Sequence, residues 1–435
     1  MLLEKVKTQK ARVVVVGIGY VGLPLVVELA KAGFHVTGFD HDPFKVGRLN
    51  EGRSYIEDIR SEDLAPHVQA GRMDATTDES VLAKADCVIL CVPTPLKKSK
   101  DPDMSYIESA ADAVARHQHP GMLVVLESTT YPGTTRELLV SKLSQNGKFS
   151  VGKDVFIAFS PERVDPGNAK FGTRNTPKVL GGVTPACMEI SSALYGQLVD
   201  TVVPVSSPDA AEMVKLLENT FRAVNIGLVN EFALICERLG LDVWEVIGAA
   251  ATKPFGYMPF YPGPGLGGHC IPIDPLYLSW KMRGLKMPAR FIELADMVNS
   301  AMPEHVVDIV ARALNDDAKA MKGSSILVSG VAYKKNVSDV RESPAIEVIE
   351  GLLGRGAKVS YLDPWVPSFK EGGHAFESIA KDASFAPWDA VVVVTDHSAI
   401  DYPRMLAEAK LVVDTRNATR SHAAKTAPKA RVVRL

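Results

Sequence analysis

Cys270 ends a run of small residues, Tyr-Pro-Gly-Pro-Gly-Leu-Gly-Gly-His-Cys, at positions 261–270, and Ile-Pro-Ile-Asp-Pro follows it at 271–275. Glycines ahead of a thiol let backbone amides approach a ligand closely. A cysteine so placed can act as a covalent nucleophile. The ordinary alternative is a buried, inert thiol. That alternative suits Cys87 and Cys91 in an apolar run, and Cys187 and Cys236 on expected helices; it suits Cys270 less well. Lys215 and Asn219 are four residues apart on an expected helix and share one of its faces. A lysine beside an amide can stabilise an oxyanion, although a solvated helix face reads the same way. Glu162, in Ser-Pro-Glu-Arg at 160–163, follows an expected strand. It is either a general base or a surface carboxylate.

A second chemistry stands near the N-terminus. Gly17, Gly19 and Gly22 make a GxGxxG spacing directly after the apolar run 12–16. The first glycine permits a tight turn, the second lets backbone approach a pyrophosphate, and the third lets helix and strand pack closely. The helix expected over about 20–32 would aim its unpaired N–H groups at the phosphates. Alone, the spacing also fits a FAD site or a degenerate turn. Asp40 adds to it, 18 residues beyond Gly22 at the end of the next expected strand. A carboxylate there accepts both ribose hydroxyls and repels a 2′-phosphate. No arginine follows it directly, so NAD is the expected cofactor rather than NADP.

Those residues need strand ends and helix starts to hold them. Apolar runs at 12–16, 35–40, 87–92, 123–127 and 155–159 read as strands alternating with helices. That rhythm predicts a parallel, doubly wound sheet. It returns from 324, with strands at 325–331, 358–362, 390–395 and 411–414. This second repeat has no glycine fingerprint, so it need not hold its own dinucleotide. Between the two, Ser207 can cap a helix, Pro208 suits its first turn, no proline interrupts 209–239, and Gly240 offers a stop. Such a helix either bridges two domains and pairs with a second subunit, or lies in one core. The segment 252–275 reads as a long functional loop. The expected fold is therefore α/β: two Rossmann-like doubly wound parallel-sheet domains joined by a long central helix. The expected divisions are 1–206, 207–322 and 323–435. The polar start is expected to run straight into the first strand, and the basic tail, 418–435, to be loosely held.

Composition narrows the class. Of 435 residues, 46% are hydrophobic and 23% charged, as in an ordinary soluble enzyme. A net charge of −2 gives no reason to expect a nucleic-acid partner. Lys97, Lys98 and Lys100 read as a solvated loop. No stretch approaches the roughly 18 apolar residues of a membrane span, and the start has no secretory core. Five irregularly spaced cysteines fit reduced thiols better than disulfides or a metal site. A cytoplasmic protein without a metal is expected.

Ordered motifs along the chain carry a family resemblance. They are Gly-Ile-Gly-Tyr-Val-Gly at 17–22, Val-Pro-Thr-Pro at 92–95, Ser-Thr at 128–129 and Ser-Pro-Glu-Arg at 160–163. They continue with Lys-Leu-Leu-Glu-Asn-Thr-Phe-Arg-Ala-Val-Asn at 215–225, Pro-Gly-Pro-Gly-Leu-Gly-Gly-His-Cys at 262–270 and Tyr-Lys-Lys-Asn-Val-Ser-Asp-Val-Arg-Glu-Ser at 333–343. From about 11 to 417 the chain resembles the UDP-glucose/GDP-mannose dehydrogenase family. The resemblance implies four-electron oxidation of a sugar C6 through a Cys270 thiohemiacetal and thioester, making a uronic acid for surface polysaccharide precursors. It implies that Lys215 and Asn219 stabilise oxyanions and that Glu162 and Asp274 position or activate water. It assigns NAD contacts to Gly17, Gly19, Tyr20, Val21, Gly22, Asp40, Lys45, Thr94, Thr129 and Arg341. It assigns substrate contacts to Glu162, Arg163, Lys215, Asn219, Arg222, Tyr261, Gly267 and Lys334, and to Arg290 from a neighbouring subunit. The last third becomes a UDP-sugar-binding domain, and a homodimer through the central helix is implied.

Two departures shift the expected substrate. UDP-glucose members usually carry a lysine where this chain has Ile273, and a second glutamate where it has Pro166 beside Asp165. Arg163, Arg222 and the segment 251–261 resemble the branch acting on UDP-N-acetylhexosamines. UDP-N-acetylglucosamine is the expected substrate, ahead of the galacto and manno epimers and of UDP-glucose. A catalytically silent regulator binding NAD and a UDP-sugar is the non-enzyme alternative; it could lose Cys270, Lys215 or Glu162, and all three are present.

Overall fold

A computed structural model describes residues 1–435 except 57–58, 98–99, 146, 164–169 and 424–428. The chain forms two compact units. The first comprises Met1–Glu218 and Leu276–Met287, the second Asn219–Pro275 and Pro288–Leu435.

The first unit is built on an eight-stranded sheet: β1 (Arg12–Val16), β2 (His35–Phe39), β3 (Met73–Thr76), β4 (Cys87–Leu90), β5 (Met122–Leu126), β6 (Val155–Phe159), β7 (Lys178–Gly182) and β8 (Val202–Val205). Its order is β3-β2-β1-β4-β5-β6-β7-β8. Strands β4 and β5 are buried at every position, as expected of strands covered on both faces. The order reverses between β1 and β4, and the carboxyl ends beside such a reversal are where doubly wound folds bind ligands. The strand–helix rhythm predicts a parallel sheet; the sheet departs from that at β7, which runs antiparallel to β6. Nor does the chain enter β1 directly. Leu2–Lys7 forms a short helix first, because Leu2 and Val6, four apart, reach the same apolar cluster as β1.

The helix Pro208–Leu239 carries the chain from the first unit into the second. It has 32 residues and ends before Gly240, whose φ of +67° no helix tolerates. The second unit holds β9 (Ser325–Ser329), β10 (Lys358–Leu362), a small hairpin of β11 (Ser368–Glu371) and β12 (His374–Glu377), β13 (Ala390–Val393), β14 (Leu411–Asp414) and β15 (Arg431–Arg434). Its main sheet, in the order β10-β9-β13-β14-β15, is parallel throughout. The order reverses between β9 and β13, which defines a second ligand mouth. Of the tail expected to be loosely held, 424–428 lie outside the described residues, while residues 431–434 add the strand β15 to β14 and the Leu435 carbonyl accepts the Trp244 indole N–H at 2.8 Å. Among the described residues no helix is long and apolar enough to cross a membrane.

Candidate active site

The glycine turn follows β1 in the first unit. Gly17 has φ +87°, and a Cβ there would stand 2.7 Å from the Cys91 carbonyl oxygen. A Cβ on Gly22 would stand 1.9 Å from the Gly17 oxygen, so strand and helix meet only through glycine. Gly19 faces open space, which leaves its backbone approachable. The helix Gly22–Lys31 starts here, after Val21. Tyr20 is exposed beside it. Asp40 stands directly after β2. Its carboxylate accepts the Ile18 N–H at 3.0 Å and the Asp42 N–H at 2.9 Å, and Lys45 Nζ lies 3.2 Å away. Thr94 and Thr129 sit in the half-buried loops after β4 and β5. Those loops are tied together, since Ser128 Oγ donates to the Val92 carbonyl at 2.7 Å. A cradle that a single Cβ would fill, with a carboxylate fixed next to it, fits NAD.

Glu162 belongs to the same unit, past the end of β6. Its position is set by charge. Lys178 Nζ lies 3.0 Å from Glu162 Oε2 and 2.8 Å from Glu127 Oε2. The side chains of Lys178 and Glu127 are 5% and 0% exposed. The Tyr195 hydroxyl donates to the other Glu127 oxygen. Burial works against charge on Lys178, but Glu127 and then Glu162 outweigh it and hold the ammonium above the usual lysine range. Burial pushes Glu127 upward, and Lys178 pulls it part of the way back. The Arg163 N–H donates to Glu162 Oε1 at 2.9 Å, and Lys215 Nζ donates to the Glu162 carbonyl at 2.6 Å. The Arg163 guanidinium pairs with Glu218 at 2.6 Å.

Sequence reasoning missed Lys178, Glu127 and Tyr195. The available signal was an ionisable residue at the head of the apolar run Val-Leu-Gly-Gly, and another at the tail of Met122–Leu126. Asp165 and Pro166, which bear on the expected substrate, lie outside the described residues.

Cys270 belongs to the second unit. It is half-buried at the turn that opens the helix Asp274–Gly284, and its carbonyl accepts the Asp274 N–H at 2.8 Å. Asp274 is 2% exposed and accepts a hydrogen bond from the Asn219 side-chain amide. The loop before Cys270 lies against the second ligand mouth. A Cβ on Gly267 would stand 2.8 Å from Tyr333 Cβ, and one on Gly268, at φ +85°, 2.8 Å from the Tyr333 ring. The Gly268 N–H donates to the Arg341 carbonyl at 3.3 Å. Only glycine lets this loop close on the segment that carries Lys334 and Arg341.

The second unit thus brings Cys270, Asp274 and Asn219 together, and ties Gly267 to the Lys334–Arg341 segment. Arg341, expected to contact NAD, is in this unit and chelates Asp339 at 2.6–3.1 Å. Tyr261 stacks on Trp244 with centroids 6.1 Å apart. Arg222 is exposed on the long helix, and Arg290 is exposed at the first position of the helix Arg290–Asp316.

Three family descriptions of the UDP-glucose/GDP-mannose dehydrogenase family match in order. They are the NAD binding domain over 11–199, the central domain over 209–301 and the UDP binding domain over 327–421. The chain is 36% identical to an NDP-N-acetyl-D-galactosaminuronic acid dehydrogenase of Ralstonia nicotianae, over 92% of this chain and 95% of the relative. It is 33% identical to a UDP-N-acetyl-D-glucosamine 6-dehydrogenase of Pseudomonas aeruginosa, over 91% and 92%. A solved UDP-D-ManNAc dehydrogenase from Pyrococcus horikoshii superposes with a TM-score of 0.85 at 32% identity, covering 94% of this chain and 96% of that one. With the glycine cradle in one unit, the thiol loop against the mouth of the other, and likeness running nearly end to end, the chain belongs to the UDP-glucose/GDP-mannose dehydrogenase family of NAD-dependent nucleotide-sugar dehydrogenases.

Proposed function

We propose that this protein oxidises C6 of a UDP-N-acetylhexosamine to the uronic acid, with N-acetylglucosamine as the preferred epimer. The observation that carries this reading is the Cys270 loop, closed through Gly267 and Gly268 onto the Tyr333–Arg341 segment at the mouth of the second sheet. A thiol held beside a sugar-nucleotide segment suits covalent catalysis at the sugar.

NAD held at the Gly17–Gly22 turn supplies the acceptor for each hydride. The first oxidation turns the C6 alcohol into an aldehyde, and in this reading Glu162 takes up the hydroxyl proton through water. Cys270 Sγ then bonds to the aldehyde carbon while its oxygen gains a proton, giving a thiohemiacetal. Losing a second hydride and that proton leaves a thioester. Water activated by Glu162 or Asp274 adds to the thioester, the C–S bond breaks, and the thiol returns as the uronate leaves. Lys215 and Asn219 donate hydrogen bonds to the oxyanions on the way.

Ile273 and the relatives named for N-acetylated sugars support that sugar class over UDP-glucose. The test is a panel of UDP-glucose and the three UDP-N-acetylhexosamines, followed by NADH absorbance. The highest kcat/KM is expected with UDP-N-acetylglucosamine, and an N-acetylated epimer above UDP-glucose. UDP-glucose as the best substrate would refute the sugar class.

A homodimer belongs to the same proposal. Phe221, Leu228, Phe232 and Ile235 lie exposed along the long helix, and Phe291, Leu294 and Met297 along the helix Arg290–Asp316. Exposed apolar side chains repeated along both helices call for a cover, and a second copy supplies one. Arg290, beside Phe291, would then reach towards the neighbour. Light scattering is expected to give twice 47.0 kDa; a single-chain mass at working concentration would rule the dimer out.

A further inference from the structure

His397 is fully buried, just beyond β13, and lies outside the reaction described above. Its two ring nitrogens have different partners. Nδ1 lies 3.0 Å from the backbone nitrogen of Asn336, and Nε2 lies 3.0 Å from Asp363 Oδ2. A backbone N–H can only donate, so Nδ1 must be the bare, accepting nitrogen. The ring proton is then on Nε2, donating to Asp363. The geometry therefore requires a neutral imidazole in a single tautomer.

Asp363 is 3% exposed and works at the other end of the same turn. Its Oδ2 also accepts the Val331 N–H at 2.7 Å and the Ala332 N–H at 3.0 Å. Its Oδ1 accepts the Trp365 and Val366 N–H groups at 2.8 and 3.1 Å. Thr395 Oγ1 donates to the Ala332 carbonyl at 2.6 Å. At the far end, Asn336 takes the left-handed φ of +58°, and its side chain exchanges two hydrogen bonds with Ser398 at 2.9 and 3.0 Å. The turn 331–336 is thus pinned at its start by Asp363 and at its end by His397, and one hydrogen bond joins the two pins. It follows β9 at the sheet reversal, and it carries Tyr333, on which the Cys270 loop rests, together with Lys334.

We infer that Asp363 and the neutral His397 are positioning residues that set the turn 331–336, and so aim Lys334 at the sugar nucleotide. The inference rests on the proposed UDP-sugar reading of this mouth. An imidazole with one fixed tautomer is a more exacting anchor than an apolar filler, because both of its nitrogens must find opposite partners at once.

UDP alone is the probe, measured by calorimetry on the full chain. Wild type is expected to bind it. His397→Gln keeps an N–H for Asp363 and loses the acceptor for Asn336; His397→Asn does the reverse. Each is expected to weaken UDP binding by about tenfold or more and to leave NAD affinity unchanged, since one buried partner is left unmet. The Lys334→Ala penalty is expected to shrink in the His397→Gln background, which loss of overall stability alone would not produce. Wild-type UDP affinity in both variants, or an undiminished Lys334→Ala penalty, would overturn the positioning role. If wild type itself failed to bind UDP, the functional reading would fall instead. A long-range nitrogen–proton NMR correlation on histidine-labelled wild-type protein needs no folded variant: His397 is expected with its proton on Nε2, and a proton on Nδ1 would overturn the inference.

Discussion

Cys270→Ser is expected to lower uronate formation by roughly 10³-fold or more, about 4 kcal/mol of barrier. NAD binding should be unchanged. The size follows from the proposed role of the thiol, which captures the aldehyde and then leaves as the thioester is hydrolysed; a serine hydroxyl is a weaker nucleophile at neutral pH, and its alkoxide is a poorer leaving group. The selectivity follows from the fold, because the Gly17–Gly22 cradle and Asp40 belong to a different compact unit from Cys270. Stopped-flow absorbance for NADH and calorimetry for NAD separate the two. Wild-type turnover in the variant would remove Cys270 from the mechanism.

Lys178→Met is expected to destabilise the protein by about 3–5 kcal/mol, the usual cost of removing one partner from a buried ion pair. Three charges share that site, with Lys178 between Glu127 and Glu162. Without the ammonium, Glu127 is a buried carboxylate that, among the described residues, keeps the Tyr195 hydroxyl as its side-chain partner. Burial already raises its pKa, and losing Lys178 removes the charge that pulls it back. A carboxyl whose folded pKa lies above its unfolded value is most favourable at pH below the unfolded value. It then costs stability as pH rises through the folded value. The deficit of the variant should therefore shrink on acidification towards the ordinary glutamate range. The double change Lys178→Met with Glu127→Gln should recover part of the loss at neutral pH. Urea melts at several pH values measure both effects, and a deficit that grew on acidification would contradict this account.

The two sites differ in how far they can be read from the sequence. The GxGxxG turn, Asp40 and the long helix were legible because each depends on neighbours along the chain. Spacing after an apolar run, a carboxylate at a strand end, and proline and glycine at the helix ends are local signals. The family motifs likewise marked Cys270. Lys178 was hidden because its partners are 51 and 16 residues away, and a lysine at a strand entrance usually reaches solvent. Strand β8, Val-Val-Pro-Val, escaped notice because it lies at the sheet edge, partly exposed and interrupted by proline. The reversed direction of β7 depends on how the connection after β6 returns, which no periodicity reports. The Asp363–His397 link spans 34 residues and was equally silent.

In the proposed reaction one thiol carries one carbon through two oxidations. Counting the NADH formed for each UDP-sugar consumed, with the product identified by mass spectrometry, tests it most directly. Two NADH per sugar and a uronate are the expected result; one NADH per sugar with free aldehyde would contradict the thioester route.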